Sequence, residues 1–436
     1  MKNLYIELEI YNREIEAKLL LALEAVSQGY NVIIANRLMI QKLALNNEIP
    51  PGIIHMKDAN SIKNNIEIIK KLKKKKFFFT AQDEESGLLN KSYEQFAKIR
   101  FGHLKTFNYL SYFFCWGKRD YNYLKKKTKV AVLTGSPRFD LFLSKKKLKK
   151  PKKKILFVTS FNVTGIRTFV ERIFATTGLR DHQIESVEKF AYNMESFHAL
   201  KVYHFIKLIR FLSKKFKNYK IVVRPHPSDK TEDWKLLINS SSKNILIDDV
   251  DNSTLDQSIL GSEYIIQNGC TSAIESLLMN VPCISYAPQK WKEDELFNFP
   301  NSLSIEAKNH RQVEKIISSK KKVSGKKFIK LKERFFFNES YSCKRQVEFF
   351  KKLDLKSKKF EPSSIFKTKY FIINNLKIIK DLIFKRKISA IEKKFPEFKE
   401  KRIKKMINEI ASISNQDQYL KTKFNIISKR FLFLTK

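Results

Sequence analysis

Cysteine is scarce in this 436-residue chain, with only Cys115, Cys270, Cys283 and Cys343 present. None stands in a C-x-x-C pair and no histidine lies at metal-ligand spacing from them. The pattern therefore supports neither a zinc site nor a disulfide framework, and four reduced core thiols are expected. Long apolar runs are missing too. No stretch reaches about 18 residues, so no membrane-spanning helix is expected. Residues 1–10 carry Glu7 and Glu9 where a signal peptide needs an apolar core. Negative charge is low, with 44 Asp and Glu against 86 Lys and Arg and a formal net charge of +42. Arginine is low within the basic set, at 16 residues against 70 lysines. Readers of bases and phosphates favour arginine's planar fork. The excess charge thus argues against specific nucleic-acid recognition. It fits solvated lysine faces and attraction to an anionic membrane surface.

What is present is a repeated alternation of strand and helix signals. The first 145 residues place apolar strands at 4–8, 31–35, 52–56, 76–80, 112–116 and 130–134. Ile15, Leu19, Leu23 and Val26 recur at helical spacing over 14–27, and Gly29 ends that helix. The lysine run at 145–154, broken by Pro151, cannot bury itself and reads as a linker. Beyond it a second unit repeats the alternation. Its strands lie at 155–160, 220–224, 244–247, 264–267 and 283–286, with a long helix over 185–216 and a mobile insertion at 161–184. The predicted fold is α/β, two Rossmann-like domains over 1–145 and 153–340. After Pro362, 19 Lys and Arg stand against 6 Asp and Glu. Phe371, Ile372, Leu376, Ile379 and Ile383 share one helical face there. Residues 341–436 are predicted to be a basic helical extension, either packed on the second domain or lying on anionic lipid.

Several segments carry candidate chemistry. Arg224-Pro225-His226-Pro227 directly follows an apolar strand. The two prolines stiffen the loop around the imidazole. Arg224 can fork onto phosphate oxygens, and His226 can donate to a phosphate or a leaving-group oxygen. Gly269-Cys270-Thr271-Ser272 follows the strand at 264–267 and opens a helix. There Thr271 or Ser272, with Glu275, is expected to form a cap, and the free amides and dipole suit a phosphate. Asp83-Glu84-Glu85-Ser86-Gly87 follows the strand at 76–80. Mutual repulsion among three carboxylates there would raise the pKa of one, as a general base requires. Gly135-Ser136-Pro137-Arg138 offers a second strand-to-helix turn, and Arg13-Glu14 a weaker candidate for the same crevice. His55, His103, His182, His198, His204 and His310 have no partner pattern, and no metal site is expected.

Together these residues resemble the bacterial surface carbohydrate biosynthesis protein family and the GT-B glycosyltransferase architecture. The resemblance is carried by Asn12-Arg13-Glu14, Asp83-Glu84-Glu85, Phe114-Cys115-Trp116-Gly117 and Gly135-Ser136-Pro137-Arg138-Phe139-Asp140. Arg224-Pro225-His226-Pro227 and Thr271-Ser272-Ala273-Ile274-Glu275-Ser276 complete it. It spans roughly residues 1–320. The His-Pro pair is also similar to that of bacterial sialyltransferases, capsule Kdo transferases and CDP-glycerol glycerophosphotransferases. The resemblance implies two domains facing a cleft and a cytoplasmic enzyme, peripheral on the inner membrane face. That enzyme transfers a sugar, of CMP-linked nonulosonic or Kdo type, from a nucleotide donor to a glycan or lipid-linked acceptor. No cofactor beyond the donor is implied. The donor would lie on Arg224, His226, Pro227, Gly269, Thr271, Ser272 and Glu275, with Gly135 and Ser136 across the cleft. Glu84 or Glu85, with Asp83 behind them, would be the base. Polyol-phosphate transfer from a CDP donor and a non-catalytic nucleotide-binding or membrane-surface protein are the competing readings.

Overall fold

In the computed structural model the chain is α/β and divides into two units. One comprises Met1–Gly87, Lys91–Lys145 and Ile329–Lys436, the other Leu88–Asn90 and Lys146–Phe328. The structure describes residues 2–60, 63–84, 94, 97, 100–101, 104–148, 152–159, 181–226, 229, 231–238, 242–248, 253–289, 299–337, 341–383 and 397–436. Most of the run at 161–184, expected as an insertion, lies outside them.

In chain order the first unit begins β1 (Lys2–Glu7), α1 (Tyr11–Ser27), β2 (Tyr30–Ala35), α2 (Arg37–Leu45), β3 (Ile53–Met56), α3 (Lys63–Lys74) and β4 (Phe78–Ala81). It continues with β5 (Tyr112–Cys115), α4 (Lys118–Leu124), β6 (Ala131–Leu133) and α5 (Pro137–Lys145). The second unit holds β7 (Lys154–Val158), α6 (Asp181–Lys215), β8 (Lys220–Arg224), α7 (Thr231–Ile238), β9 (Ile245–Ile247) and α8 (Leu255–Leu260). It goes on through β10 (Tyr264–Gln267), α9 (Ser272–Leu278), β11 (Cys283–Tyr286), α10 (Phe299–Ser302), β12 (Ile305–Ala307) and α11 (His310–Ser318). After α12 (Gly325–Arg334) the chain returns to the first unit. There it forms α13 (Ser342–Lys351), α14 (Ser364–Ile383), α15 (Glu400–Ser414), β13 (Lys423–Ser428) and β14 (Phe431–Thr435).

The first sheet runs β13-β14-β2-β1-β3-β4-β5-β6, and all its pairings are parallel except those of the last hairpin. The second runs β12-β11-β10-β7-β8-β9 and is wholly parallel. Crossover connections put helices on the faces of such sheets, so the central strands are apolar throughout rather than alternating. β2 is buried at every position. Strand order reverses between β1 and β3 in the first sheet and between β7 and β10 in the second. Ligands in open α/β sheets bind outside the carboxyl ends of the strands at such reversals.

The basic region at 341–436 is not an appended helical extension. Its last two strands form a hairpin, and β14 pairs antiparallel with β2 on the first sheet. The local cause is the apolar run Phe431-Leu432-Phe433-Leu434, buried throughout. α15 turns Ile403, Met406, Ile407 and Ile410 into the same core as α1, while Lys401, Lys404 and Lys405 point outward. The region's charge is thus one face of elements whose other face is core. Tyr419 ties the turn after α15 to α1 through a 2.7 Å bond to Glu24 Oε2.

Leu434→Ala is expected to destabilise the first unit by about 2–5 kcal/mol, the range for truncating a fully buried leucine. Urea titration followed by tryptophan fluorescence would measure it. A loss under about 1 kcal/mol would mean the hairpin is not part of that core.

Candidate functional site

At the reversal point of the first sheet the carboxyl ends of β1 and β3 are bound together by ion pairs. Glu7 Oε2 accepts from Arg37 Nε at 2.9 Å and from the Lys57 amide at 3.2 Å. Arg37 Nη2 reaches Asp58 Oδ1 at 3.1 Å. Burial pushes the Asp58 carboxyl up, but Arg37, Lys57 and Arg100 outweigh it and leave it below the ordinary value. Lys57 also pairs with Glu9.

One strand over, the acidic run after β4 meets partners the sequence does not announce. Asp83 is buried against Arg100 at 2.8 Å. Glu84 is buried against Lys18, which α1 carries into the core. Glu14, also buried, accepts from Arg13 Nη2 at 2.9 Å and from the Glu9 amide at 3.0 Å. Burial pushes both glutamates up. Lys18, Arg138 and Arg13 pull Glu84 below the ordinary carboxylate value, whereas Glu14, with Glu84 as a like-charged neighbour, stays above it. Thus Glu84 is held down rather than raised by repulsion. Glu85 lies outside the described residues. Asp120 in the first turn of α4 is pushed by burial up to about 7, against the pull of Arg334 and Arg119. His55 is buried with Nδ1 3.0 Å from Thr80 Oγ1. Burial, aided by Lys18, holds it far below its ordinary value and therefore neutral.

The Gly135-Ser136 turn is closed by the chain itself. Gly135 has φ +79°, and a Cβ there would lie 2.3 Å from Phe336 O and 2.7 Å from Ser342 Oγ. Its carbonyl accepts from Gln82 Nε2 at 2.8 Å, and its amide donates to Cys115 O at 3.0 Å. The Ser342 amide and hydroxyl donate to Asp140, and Arg345 Nε donates to Thr134 O at 2.7 Å. Where free amides for a ligand were expected, the Gly135 amide is bonded to Cys115 O, and the open side of the glycine admits a segment some 200 positions later in sequence.

In the second unit, Arg224 ends β8 but does not point free. Its guanidinium bonds Asp248 Oδ2 at 2.6 Å, Ser253 Oγ at 2.7 Å, Ser258 Oγ at 3.2 Å and Ser253 O at 2.9 Å. Every one of these partners is internal, so Arg224 braces the strand end rather than offering a fork. His226 is half-buried just beyond, and its carbonyl accepts from the Asp229 amide at 2.8 Å. Across from it His198 on α6 is lowered to about 4, by burial first and then by Lys201 and His226. Pro227 lies outside the described residues.

At the second reversal point, β10 ends in Gln267. Gln267 Oε1 accepts from the Cys270 amide at 2.7 Å. Asn301 Oδ1 accepts from the Gly269 amide at 2.8 Å, and its Nδ2 donates to Asn268 at 3.1 Å. Gly269 takes φ +76° to make this turn. Thr271 is the N-cap of α9 without a side-chain cap bond, so the expected capping box is not formed. Ser272 is buried with its Oγ unbonded, and Glu275 is buried one turn on. Gln267, Asn301, Asp248 and Lys18 were not foreseen. A glutamine closing a buried strand was the one local signal, whereas the other three act across long separations. Among the described residues no group of three or more His, Cys, Asp or Glu could hold a metal ion.

Removing Lys18 leaves buried carboxylates uncompensated. Lys18→Met should cost about 3–5 kcal/mol in chemical unfolding, and adding Glu84→Gln should recover part of it. Asp120 sets a pH dependence. An unfolded aspartate titrates near 4, so between about 4 and about 7 the folded chain holds a proton the unfolded chain has lost. Its contribution is complete below that window and is lost as pH rises through it, with a slope of up to about 1.4 kcal/mol per pH unit. Asp120→Asn should flatten the stability profile there, and an unchanged profile would contradict the raised value.

No family model matches the sequence, and no curated protein matches it. Among solved structures, the S. aureus MnaA–UDP co-structure is similar at 11% identity, covering 83% of this chain and 100% of that chain, with a TM-score of 0.47. The UDP-GlcNAc 2-epimerase from Methanocaldococcus jannaschii is similar at 12% identity, covering 80% and 99%, with a TM-score of 0.47. The wall teichoic acid polymerase TagF with CDPG is similar at 12% identity, covering 80% and 88%, with a TM-score of 0.49. Identities this low assign no residue.

Proposed function

We propose that the chain is a nucleotide-sugar-dependent glycosyltransferase of surface-glycan assembly, with the donor on the second unit and the base on the first. The observation that carries this reading is positional. In the second sheet the Gln267–Thr271 turn lies at the reversal of strand order, where a parallel sheet leaves a crevice for a ligand. Gln267 and Asn301 occupy the turn's first amides and hold its shape. Thr271, partly exposed at the start of α9, remains to meet the donor. His226 supplies a proton donor to the departing phosphate, a role that supports rate by stabilising charge as it develops. Arg224 keeps the strand end rigid beneath it.

In the first unit Asp83 and Glu84 are engaged by Arg100 and Lys18. We therefore assign the base to Glu85, which follows them in the run. An ionised carboxylate there would take the proton of an acceptor hydroxyl as its oxygen attacks the anomeric carbon. The carbon–oxygen bond to the donor phosphate would break in the same step. Attachment of the lysine-rich C-terminal region to an anionic membrane surface, beside lipid-linked acceptors, belongs to the same proposal.

Thermal shift with CMP, CDP, UDP and GDP tests the donor. A ligand at 100 times its Kd adds about 2.7 kcal/mol, and CMP is expected to shift the second unit selectively. Selective stabilisation by CDP, with polyol phosphate transferred from a CDP-polyol to the acceptor and CMP released, would replace the sugar with a polyol phosphate. His226→Ala and Glu85→Gln should each lower kcat by about 10²-fold or more while leaving the melting midpoint unchanged. Full activity in either variant would remove that residue from the chemistry.

A further inference from the structure

A group of exposed lysines stands at the amino edge of the first unit's sheet, the end opposite Lys18 and Glu84. Asn3, near the start of β1, donates to Lys358 O at 2.8 Å and accepts from the Phe360 amide at 3.0 Å. Asn31, near the start of β2, donates to Phe360 O at 2.7 Å. The chain is therefore clamped along this edge four residues before α14 begins. Glu48, in the turn before β3, accepts from Lys369 at 3.0 Å and from Tyr370 at 2.8 Å. The neighbouring Asn47 accepts from Lys75 at 2.6 Å, just after α3. α14 and the end of α3 thus meet the same turn.

α14 is anchored through Phe366 and Tyr370, whose rings lie 6.0 and 6.5 Å from that of Phe431. Its other side is apolar and faces out. Ile365 is 82% exposed, Phe371 64%, Leu376 59%, Ile372 49% and Ile373 45%. Lys358, Lys359 and Lys367 are exposed beside it, and Lys71, Lys74 and Lys76 at the end of α3. Glu48, Glu67 and Glu361 offset only Lys369, Lys70 and Lys359, and the charge of Lys358, Lys367, Lys71, Lys74 and Lys76 stands beyond those pairs.

An exposed apolar helix face ringed by lysine is the composition of a helix that lies in a bilayer interface. A nucleic acid would use the lysines and leave Ile365, Ile372 and Leu376 in water. A second copy would bring one lysine ring against another in a chain of net charge +42. We propose that this edge docks on an anionic lipid bilayer. Ile365, Phe371, Ile372 and Leu376 enter the boundary between headgroup and acyl chain, and the lysines of α3 and of the 358–367 segment meet the lipid phosphates. The inference rests on the membrane-surface part of the reading above and is independent of the transfer chemistry.

Co-sedimentation of the full chain with phosphatidylcholine vesicles, with and without phosphatidylglycerol, tests it. Binding is expected only with the anionic lipid. Ile372→Glu with Leu376→Glu, and separately Lys71→Glu with Lys74→Glu, should each weaken it by about tenfold or more. Melting midpoints and nucleotide-induced shifts should stay as in the parent, since all four side chains are exposed or on outward helical turns. The proposal is overturned by equal binding to neutral vesicles or by binding indifferent to the apolar pair. It is also overturned by tight association with duplex DNA that both variants retain, or by a lipid-free dimer that the apolar pair dissolves. If the parent binds vesicles but no nucleotide shifts its melting, the transferase reading fails and this one stands.

Discussion

Helix α1 is apolar on nearly every side, and that constraint organises the first unit. From Leu19 to Val26 no residue is more than slightly exposed. A helix hydrophobic all round must be enclosed, and one sheet face covers only a stripe of it. The remaining cover comes from α5 and from the far end of the chain, where α13 and α15 pack on it and β14 extends the sheet beneath. The unit is therefore closed by residues more than 300 positions from the helix they cover.

Enclosure has an electrostatic consequence. Lys18, Glu14 and Glu24 are carried into the interior with α1, and buried charge is tolerated only when paired and hydrogen-bonded. Each has its partner: Glu84 for Lys18, Arg13 for Glu14 and Tyr419 for Glu24. The same need explains Arg224 in the second unit, where Asp248, Ser253 and Ser258 surround a nearly buried guanidinium. Residues that look like ligand-binding groups by type thus become framework by environment.

Much of the architecture was legible. Strand positions such as 220–224, 264–267 and 283–286 agree with β8, β10 and β11, because a fully buried parallel strand needs a short continuous apolar run and little else. Gly29 and Gly269 both take positive φ, as turns without a Cβ allow. The C-terminal region is helical as expected over α13 to α15, but it ends in a hairpin that joins the first sheet. Its lysines are conspicuous and its four-residue apolar run, Phe431 to Leu434, is short. Charge counts describe the outward face of an element and say nothing of what its inward face touches. Likewise Gly135 read as an opening for a ligand, when the atom approaching it is the carbonyl of Phe336.

Local periodicity, turn residues and composition by themselves determined that this chain forms two α/β units with polar groups at strand ends. Those properties act over a few residues, where backbone geometry and side-chain spacing decide the outcome. Only the tertiary structure decided which polar groups are spent. Whether Glu84 meets Lys18, Arg224 meets Asp248 or Asp140 meets Ser342 depends on elements brought together from distant positions. The free energy of a charge is set by its neighbours and by its distance from water, and neither is written in the segment that carries it.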